Sequence, residues 1–272
     1  MGLAGVYGAV DPAVATATVH AALDAGIVLF DAAPLYGAGR AERLLGAALP
    51  PGRGRVCTKF GLSEGCGGTL VRDSRPASVR KSVELSLRML GRDFVDILLQ
   101  HRPDPDVPDE AVAEVLLRLV EEGKARHVGL SGTTCARAAA MGRIAPLAAV
   151  QNELSAAVAP GAPDAPVRFA DHGLVFMAHS PLARGVLARD GQRVFPEDDH
   201  RARMPALTQA GQAALQRQAA ARGIGAQPSN VRAALRFVLS ECSNVVAVVG
   251  ARSPAQIADA ATADGPGAPP AG

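Results

Sequence analysis

Aromatic residues are scarce in this chain: they make up 3% of it, with no tryptophan and only two tyrosines, Tyr7 and Tyr36. A ligand pocket built from these residues has few large rings with which to stack on a steroid or another polycyclic compound. Lysine is also rare, since only three of the 28 basic residues are lysines. The net charge is +2 and no basic run is interleaved with aromatics, which argues against nucleic acid as a partner.

The four cysteines, Cys57, Cys66, Cys135 and Cys242, form no CxxC pair and do not stand near histidines at the spacing of metal ligands. We therefore expect reduced thiols, no metal site and a cytoplasmic location. No apolar run approaches the ~18 residues that a membrane-spanning helix needs. The N-terminus also has no basic region of the kind that begins a signal peptide. These absences predict a soluble protein without a membrane partner.

Short apolar runs alternate with helical segments along almost the whole chain. We predict strands over residues 2–8, 27–31, 55–59, 94–99, 126–130, 148–150, 174–178 and 245–249. Strands that alternate with helices pair in parallel through right-handed crossovers. Eight such units in 272 residues predict an α/β protein with a closed (β/α)8 TIM barrel. An open doubly wound sheet is the alternative, but no strand is followed by a complete GxGxxG motif.

The helical segments follow from apolar residues at helical spacing and from glycines at their ends. We predict helices over residues 12–25, 40–48, 76–90, 109–122, 134–142, 164–171, 206–221, 228–240 and 254–263. The barrel would form a single domain over residues 1–263. The last nine residues, 264–272, are rich in proline and glycine and are predicted to be a disordered tail.

The stretch 27–37 places an acid at the exit of a buried strand. The apolar run 27–30 leads directly into Asp31, and Pro34 and Gly37 hold Tyr36 in the loop just beyond it. An Asp that caps the next helix and a Tyr that packs on the surface would explain the same pattern structurally. Other strands of the chain end in polar residues too, which favours a functional explanation.

In a TIM barrel the carboxyl ends of the strands meet at one mouth, where catalytic residues are found. The exits of the second, third and fourth predicted strands bring Asp31, Tyr36, Lys59 and His101 to that mouth. A nearby ammonium lowers the pKa of a phenol from its ordinary value of about 10, and a carboxylate can pair with the ammonium. We therefore expect Tyr36 to donate a proton and His101 to bind a substrate oxygen. Taken singly, a snorkelling Lys59 and a loop hydrogen bond of His101 would be structural alternatives.

Further motifs follow the remaining strands. The motifs that resemble those of a known enzyme family lie at residues 31–37, 42–46, 58–61, 101–104, 123–131, 150–155, 180–185 and 250–253. They include Asp31-xxxx-Tyr36-Gly37, Thr58-Lys59-Phe60-Gly61 and His101-Arg-Pro-Asp104. In content and order these motifs resemble those of the aldo-keto reductases, specifically bacterial NADPH-dependent members, over nearly the full length of the chain.

The resemblance implies an enzyme that transfers hydride from NADPH to an aldehyde or ketone. Tyr36 would be the general acid, Lys59 and Asp31 would tune it, and His101 would orient the carbonyl. A histidine at position 101 is the version associated with carbonyl rather than C=C reduction.

The resemblance also implies where the cofactor binds. Ser131 and Gln151 would hold the nicotinamide carboxamide, residues 180–185 would follow the pyrophosphate, and Arg252 with Ser253 would meet the 2′-phosphate. The full set of implied cofactor residues is Ser131, Gln151, His179, Ser180, Leu182, Gly185, Gly250, Arg252, Ser253 and Gln256. NADH is the alternative cofactor, because Gln256, Asp259 and Ala260 replace the frequent Arg, Glu and Asn around the adenine.

Three further features depart from the family pattern. Gly132 follows Ser131 where many members have Asn, so one carboxamide contact is expected to be missing. His179 stands where an aromatic side chain, often Tyr or Trp, stacks on the nicotinamide. The hairpin that usually closes the bottom of the barrel is not found before the first predicted strand, so we expect either a different closure of the bottom or a true start further upstream.

Loops above the barrel are expected to border the substrate pocket. Tyr7, Leu62 and the charge-rich segment 186–205 are the candidates, although a solvated surface loop is the simpler interpretation of that segment and a lid the alternative. The composition favours a small aldehyde, a sugar or a sugar-derived ketone as substrate. A monomer is the default expectation. Two other functions remain open: a nucleotide-binding regulatory subunit on the same fold, and a barrel that acts on phosphorylated sugars.

Overall fold

A computed structural model describes residues 2–189, 191–225 and 230–263. The predicted tail at 264–272 and the start of the helix predicted over 228–240 lie outside these ranges. The strands are β1 (Leu29–Asp31), β2 (Arg55–Phe60), β3 (Leu62–Glu64), β4 (Leu70–Arg72), β5 (Val95–Gln100), β6 (Ala125–Ser131), β7 (Leu147–Glu153), β8 (Val175–His179) and β9 (Val245–Val248). The helices are α1 (Pro12–Asp24), α2 (Arg40–Ala48), α3 (Pro76–Leu90), α4 (Asp109–Glu121), α5 (Cys135–Met141), α6 (Pro166–Ala170), α7 (Gln209–Ala220), α8 (Asn230–Ser240) and α9 (Pro254–Ala261).

Seven strands form one parallel sheet in the order β1-β2-β5-β6-β7-β8-β9. The sheet curves into a nearly closed barrel with the helices around it, which confirms the predicted barrel fold. The end strands β1 and β9 are not hydrogen-bonded to each other. Helix α1 packs against α9 across this opening, so the helical layer is continuous where the sheet is not.

The strands are buried on both faces, as their apolar runs predict. Val56, Leu98 and Phe176 belong to the core between the sheet and the helices. The next residue along each strand, Cys57, Leu99 or Met177, belongs to a second buried cluster inside the barrel. The alternation follows from the period of two along a strand. It places Lys59, two positions beyond Cys57, on the inner face as well.

Helix ends follow the local chemistry of the sequence. The Asp11 carboxylate accepts hydrogen bonds from the backbone N–H groups of Ala13 and Val14 at the start of α1. Gly91 ends α3 with a φ of 62°, a left-handed conformation that glycine adopts without strain.

The prediction of a first strand over residues 2–8 is wrong. Residues Gly2–Ala4 form a short 3₁₀ helix instead, and Gly5 and Gly8 have φ values of 81° and 87°. A chain interrupted in this way cannot continue an extended strand. The segment lies between the loops after β1 and β9: a Cβ on Gly37 would overlap the carbonyl oxygen of Ala4, and one on Gly2 would lie 3.1 Å from that of Ala251.

An antiparallel hairpin, β3 with β4, follows β2 and was not predicted. Its residues are mostly exposed, and Leu70 retains 62% of its surface. Without a buried face the hairpin carries neither a continuous apolar run nor an alternating pattern, so its sequence gives no strand signal.

Candidate active site

A buried ion pair joins the exits of β1 and β2. The Lys59 ammonium donates to both carboxylate oxygens of Asp31, at 2.6 and 2.7 Å, and to the carbonyl oxygen of Ala32 at 3.0 Å. Burial alone would lower the pKa of Lys59, but the Asp31 carboxylate raises it above its ordinary value. Burial alone would raise the pKa of Asp31, but the charge of Lys59 holds it below its ordinary value. Both groups are therefore ionised at neutral pH, and Lys59 does not snorkel to the surface.

Gln151, at the end of β7, supports this pair. Its side-chain amide donates to an Asp31 carboxylate oxygen at 2.9 Å. The sequence predicts Gln151 as a ligand of the nicotinamide. The structure places it beside Ser131, its partner in the β6–β7 register, and in contact with the acid that holds Lys59.

Tyr36 lies over the ion pair. The Lys59 Nζ is 5.2 Å from the centre of the phenol ring, and the Tyr36 and His101 rings meet edge to face with centres 5.8 Å apart. Tyr36 is buried, and α2 has no side-chain cap, with Gly39 at its N-cap position. The structural alternative, a surface Tyr36 and a helix-capping Asp31, is therefore wrong.

The expected direction of the Tyr36 pKa is also wrong. Burial raises the pKa of Tyr36 above its ordinary value, and the charge of Lys59 opposes this without reversing it. Tyr36 is thus a protonated phenol at neutral pH, with a cation placed where a phenolate charge would form.

His101 follows β5 and is neutral. Burial, reinforced by the charges of Lys59 and Arg102, lowers the pKa of His101 to about 3. Its backbone N–H donates to the carbonyl oxygen of Phe60 at 2.9 Å, and its Nδ1 has no hydrogen-bond partner in the described part of the chain. A neutral imidazole can donate a hydrogen bond from one nitrogen to a carbonyl oxygen.

Arg102 is a site residue that the sequence analysis missed. Its Nη1 donates to the carbonyl oxygen of His101 at 2.8 Å and to the Ser131 hydroxyl at 3.0 Å. A Cβ at Gly132 would lie 3.0 Å from Arg102 Cδ, and Gly132 has a φ of 64°. The sequence feature that could have indicated Arg102 is Gly132, which stands where many family members have Asn. Because glycine has no side chain, it leaves room for a neighbouring residue.

The loop after β8 has an unusual backbone. Ser180, Ala183 and Arg184 have positive φ values of 57°, 45° and 56°, and Gly185 has 94°. Left-handed non-glycine residues carry strain and cluster at ligand sites. The half-buried Leu182 lies within this loop and packs on a neighbouring core cluster.

Side chains around that loop are held by polar contacts. Arg184 forms a two-pronged ion pair with Glu153 at the end of β7. The His179 ring contacts the Ser180 hydroxyl at 3.1 Å. Burial lowers the pKa of His179 to about 4, so it presents a neutral ring at the barrel mouth.

The segment after β9 contacts the N-terminal segment. Arg252 Nη2 donates to the carbonyl oxygen of Ala9 at 2.8 Å, and its buried Nε has no partner among the described residues. Gln256 accepts from the Arg252 backbone N–H at 2.8 Å, and Ser253 caps α9. A Cβ on Gly250 would meet nothing within 4 Å. The unpartnered donor and the open backbone fit an anionic ligand, although part of the guanidinium already binds Ala9.

Tyr7 and the segment 186–205 meet above the barrel, whereas Leu62 is half-buried at the start of the β3–β4 hairpin. Tyr7 forms an antiparallel bridge with Asp199, and the Arg201 guanidinium lies 4.5 Å from the Tyr7 ring. Arg201 binds Asp199 through both carboxylate oxygens, and both residues are buried. The interpretation of 186–205 as a solvated loop is therefore wrong for these two residues.

Among the described residues, no cluster of three or more His, Cys, Asp or Glu side chains could hold a metal ion. In the same part of the chain, no helix is long and apolar enough to cross a membrane.

The family model of the aldo/keto reductases matches residues 1–263. The chain belongs to the aldo/keto reductase family. It is an oxidoreductase that depends on a nicotinamide cofactor, and the earlier resemblance is confirmed.

Relatives of known sequence or structure agree. The aldo-keto reductase YhdN of Bacillus subtilis (strain 168) is 30% identical over an alignment 277 positions long, which covers 93% of this chain and 79% of the relative. A glycerol dehydrogenase, AKR11B4 from Gluconobacter oxydans, superposes with a TM-score of 0.82 at 32% identity, covering 97% of this chain and 84% of that one. An aldo-keto reductase from Klebsiella pneumoniae in complex with NADPH gives a TM-score of 0.67 at 26% identity, covering 91% and 78%.

Proposed function

We propose that this protein uses NADPH to reduce a small aldehyde, a sugar or a sugar-derived ketone to an alcohol. The observation that carries the proposal is the buried Lys59–Asp31 pair beneath a protonated Tyr36, beside a neutral His101. A carbonyl oxygen that becomes an alkoxide needs a hydrogen-bond donor and a proton, and this cluster offers both.

Each residue has one role in the proposal. His101 donates a hydrogen bond to the carbonyl oxygen and orients it. Tyr36 transfers its proton to that oxygen, and the Lys59 ammonium compensates the phenolate charge that remains. Asp31 keeps Lys59 charged and in place. A nicotinamide cofactor bound at this mouth would supply the hydride for the carbonyl carbon.

The cofactor would be held by residues from the later strand exits. Ser131 and Gln151 would meet the carboxamide, His179 would stack on the ring, and the loop 180–185 would follow the pyrophosphate. Gly250, Arg252, Ser253 and Gln256 would meet the adenosine. The NADPH complex of the Klebsiella pneumoniae relative and the buried unpartnered Nε of Arg252 support NADPH over NADH.

Composition and one relative support the substrate class. The chain is 3% aromatic and has no tryptophan, so its pocket suits small polar molecules better than polycyclic ones. The relative from Gluconobacter oxydans is a glycerol dehydrogenase, whose substrate is a small polyol. Reduction of a comparable carbonyl compound is the same chemistry in reverse.

The test combines cofactor binding with turnover in wild type and Tyr36→Phe. NADPH and NADH are titrated by fluorescence, and NADPH oxidation is then followed with 4-nitrobenzaldehyde and D,L-glyceraldehyde. We expect NADPH to bind both proteins with the same affinity, because the substitution removes only one hydroxyl and Tyr36 is not among the proposed cofactor residues. We expect turnover by the variant to fall by about 10²-fold or more, since general acid catalysis contributes about that much.

Two other results would point elsewhere. NADPH binding without turnover of any aldehyde or ketone in a broad panel would favour the nucleotide-binding regulatory subunit. Turnover that is unchanged in Tyr36→Phe would refute Tyr36 as the general acid.

A further inference from the structure

Arg102 brings a positive charge into the middle of the candidate active site. Its charge helps to lower the pKa of His101 and of His179. One nitrogen, Nη1, is fixed by the carbonyl oxygen of His101 and the Ser131 hydroxyl. The guanidinium is therefore held in a defined orientation beside the residues proposed to bind the substrate carbonyl.

Among the residues that the structure describes, the rest of this guanidinium has no partner. Within the described ranges, no carboxylate lies within 4.0 Å of Arg102, and neither its Nε nor its Nη2 donates to a protein acceptor. The side chain is half-buried, and taking an arginine charge out of water is unfavourable unless an anion compensates it. By contrast, Arg184 at the same mouth is paired with Glu153.

The free edge of the side chain selects the kind of anion. Nε and Nη2 present two parallel N–H groups, which match the two oxygens of one carboxylate. A phosphate dianion would call for further donors, but the nearby Arg184 is already paired and Arg72 is exposed on the β3–β4 hairpin. Gly132 keeps the space open, because a Cβ there would press on the Arg102 side chain.

We propose that Arg102 forms a carboxylate subsite, so that the preferred substrates are aldehydes or ketones that also carry a carboxylate. The inference rests on the proposed function, since it assumes that the carbonyl lies between Tyr36 and His101. It narrows the substrate class to oxo acids, including the uronic-acid type of sugar.

The test compares 4-carboxybenzaldehyde with 4-nitrobenzaldehyde, whose nitro group has the shape of a carboxylate without its charge. Wild type, Arg102→Gln and Arg102→Lys are assayed for kcat/KM on both aldehydes. Arg72→Gln is the control, because it also removes one positive charge near the mouth. The ratio of the two kcat/KM values cancels the intrinsic reactivity of each aldehyde, and the Kd of NADPH is measured for every variant.

We expect wild type to favour the carboxylate and Arg102→Gln to lose about tenfold or more of that ratio, mainly through KM, as for a charge-assisted hydrogen bond. Arg102→Lys should lose part of it, because it keeps the charge but not the fork. Arg72→Gln should stay within about twofold. An equal fall on both aldehydes would overturn the proposal and assign Arg102 to the positioning of His101 and Ser131. A selective loss of NADPH affinity would also overturn the proposal and would assign Arg102 to cofactor binding.

Failure of the proposed function gives a different result. If wild type turns over neither aldehyde, calorimetry of 4-carboxybenzyl alcohol and 4-nitrobenzyl alcohol with the NADP⁺-saturated protein decides the subsite without turnover. Tighter binding of the carboxylate that disappears in Arg102→Gln supports the subsite. Equal binding of both alcohols overturns it.

Discussion

At the scale of single residues, Lys59 shows how function constrains the barrel interior. Its side chain has no exposed surface, whereas that of Asp31 retains 13%. A buried ion pair contributes little net stability over an apolar pair of the same volume, yet it is strongly destabilising to break. We infer that this pair persists for the charge it places under Tyr36 rather than for the stability of the fold.

We predict that Asp31→Asn lowers the free energy of unfolding by about 3–5 kcal/mol at pH 7, because it leaves a buried ammonium without its carboxylate. Asp24→Asn, at an exposed position at the end of α1, should change it by less than about 0.5 kcal/mol. Urea unfolding of both variants measures the difference. In the double variant Asp31→Asn/Lys59→Met most of the loss should be recovered, and a double variant as unstable as the single one would contradict the explanation.

The pH range over which the Asp31–Lys59 pair stabilises the wild-type protein follows from the two pKa shifts. The pKa of Asp31 is lowered from 3.8, so its contribution is complete above that value and disappears as the pH falls through the folded pKa. The pKa of Lys59 is raised from 10.5, so its contribution is complete below that value and disappears as the pH rises through the folded pKa. Between pH 5 and 9 wild type should therefore keep the whole contribution of the pair. In Asp31→Asn the buried Lys59 has no carboxylate and burial lowers its pKa, so it can lose its proton in the folded state. The difference in the free energy of unfolding between wild type and Asp31→Asn, measured by urea unfolding at pH 5, 7 and 9, should shrink as the pH rises.

Residues at the exits of buried strands could be predicted, whereas contacts between loops could not. Asp31, Lys59 and His101 each follow a recognisable apolar run, and parallel topology alone brings such ends together. Arg102 could not be placed, because its direction depends on Gly132, which lies 30 positions later. The pKa of Tyr36 was misjudged for a related reason: a sequence reveals the charged neighbour but not the depth of burial.

At the scale of elements, β6 and β7 approach each other closely at Gly129. The register between these strands shifts at Val128 and Gly129. A Cβ on Gly129 would overlap the carbonyl oxygen of Ala149 and lie 2.8 Å from Leu99 Cδ2. The glycine is required here for lack of space rather than for a left-handed backbone.

Gly129→Ala should therefore lower the free energy of unfolding by about 1–3 kcal/mol or more, since neither the neighbouring backbone nor a packed leucine can move aside cheaply. Gly250→Ala is the matched control, because a Cβ there would meet nothing within 4 Å, and it should be close to neutral. Thermal and urea unfolding of the cofactor-free protein measures both. Equal stability of the two variants would show that the strands can separate at Gly129.

Most elements that the sequence predicted have a buried face, whereas the hairpin that it missed has none. Seven predicted strands and all nine predicted helices are found, with ends shifted by a few residues. The β3–β4 hairpin has no buried face, so periodicity could not reveal it. The segment 2–8 has apolar residues but too many left-handed glycines to stay extended.

At the scale of the whole molecule, two distant segments are joined above the barrel. The N-terminal segment contacts the segment 186–205 through the Tyr7–Asp199 bridge and through the backbone N–H of His200, which donates to the carbonyl oxygen of Val6 at 3.0 Å. Arg201 lies between the rings of Tyr7 and Phe195, at 4.5 Å from each, and donates to the carbonyl oxygen of Arg184 at 3.1 Å. It thereby connects both segments to the loop that follows β8.

Arg201→Gln should release this connection without unfolding the barrel. It leaves the buried Asp199 carboxylate unpaired, which is unfavourable by about 3 kcal/mol or more, and removes the cation from between the two rings. Hydrogen exchange should therefore accelerate in residues 2–8 and 192–204 while β5 and β6 keep their protection, since local opening needs less free energy than global unfolding. Arg203→Gln, at an exposed position two residues away, should leave exchange unchanged. If hydrogen exchange accelerated evenly over all strands, Arg201 would stabilise the whole barrel. If it accelerated in residues 192–204 alone, the N-terminal segment would be held by its contacts with the loops after β1 and β9.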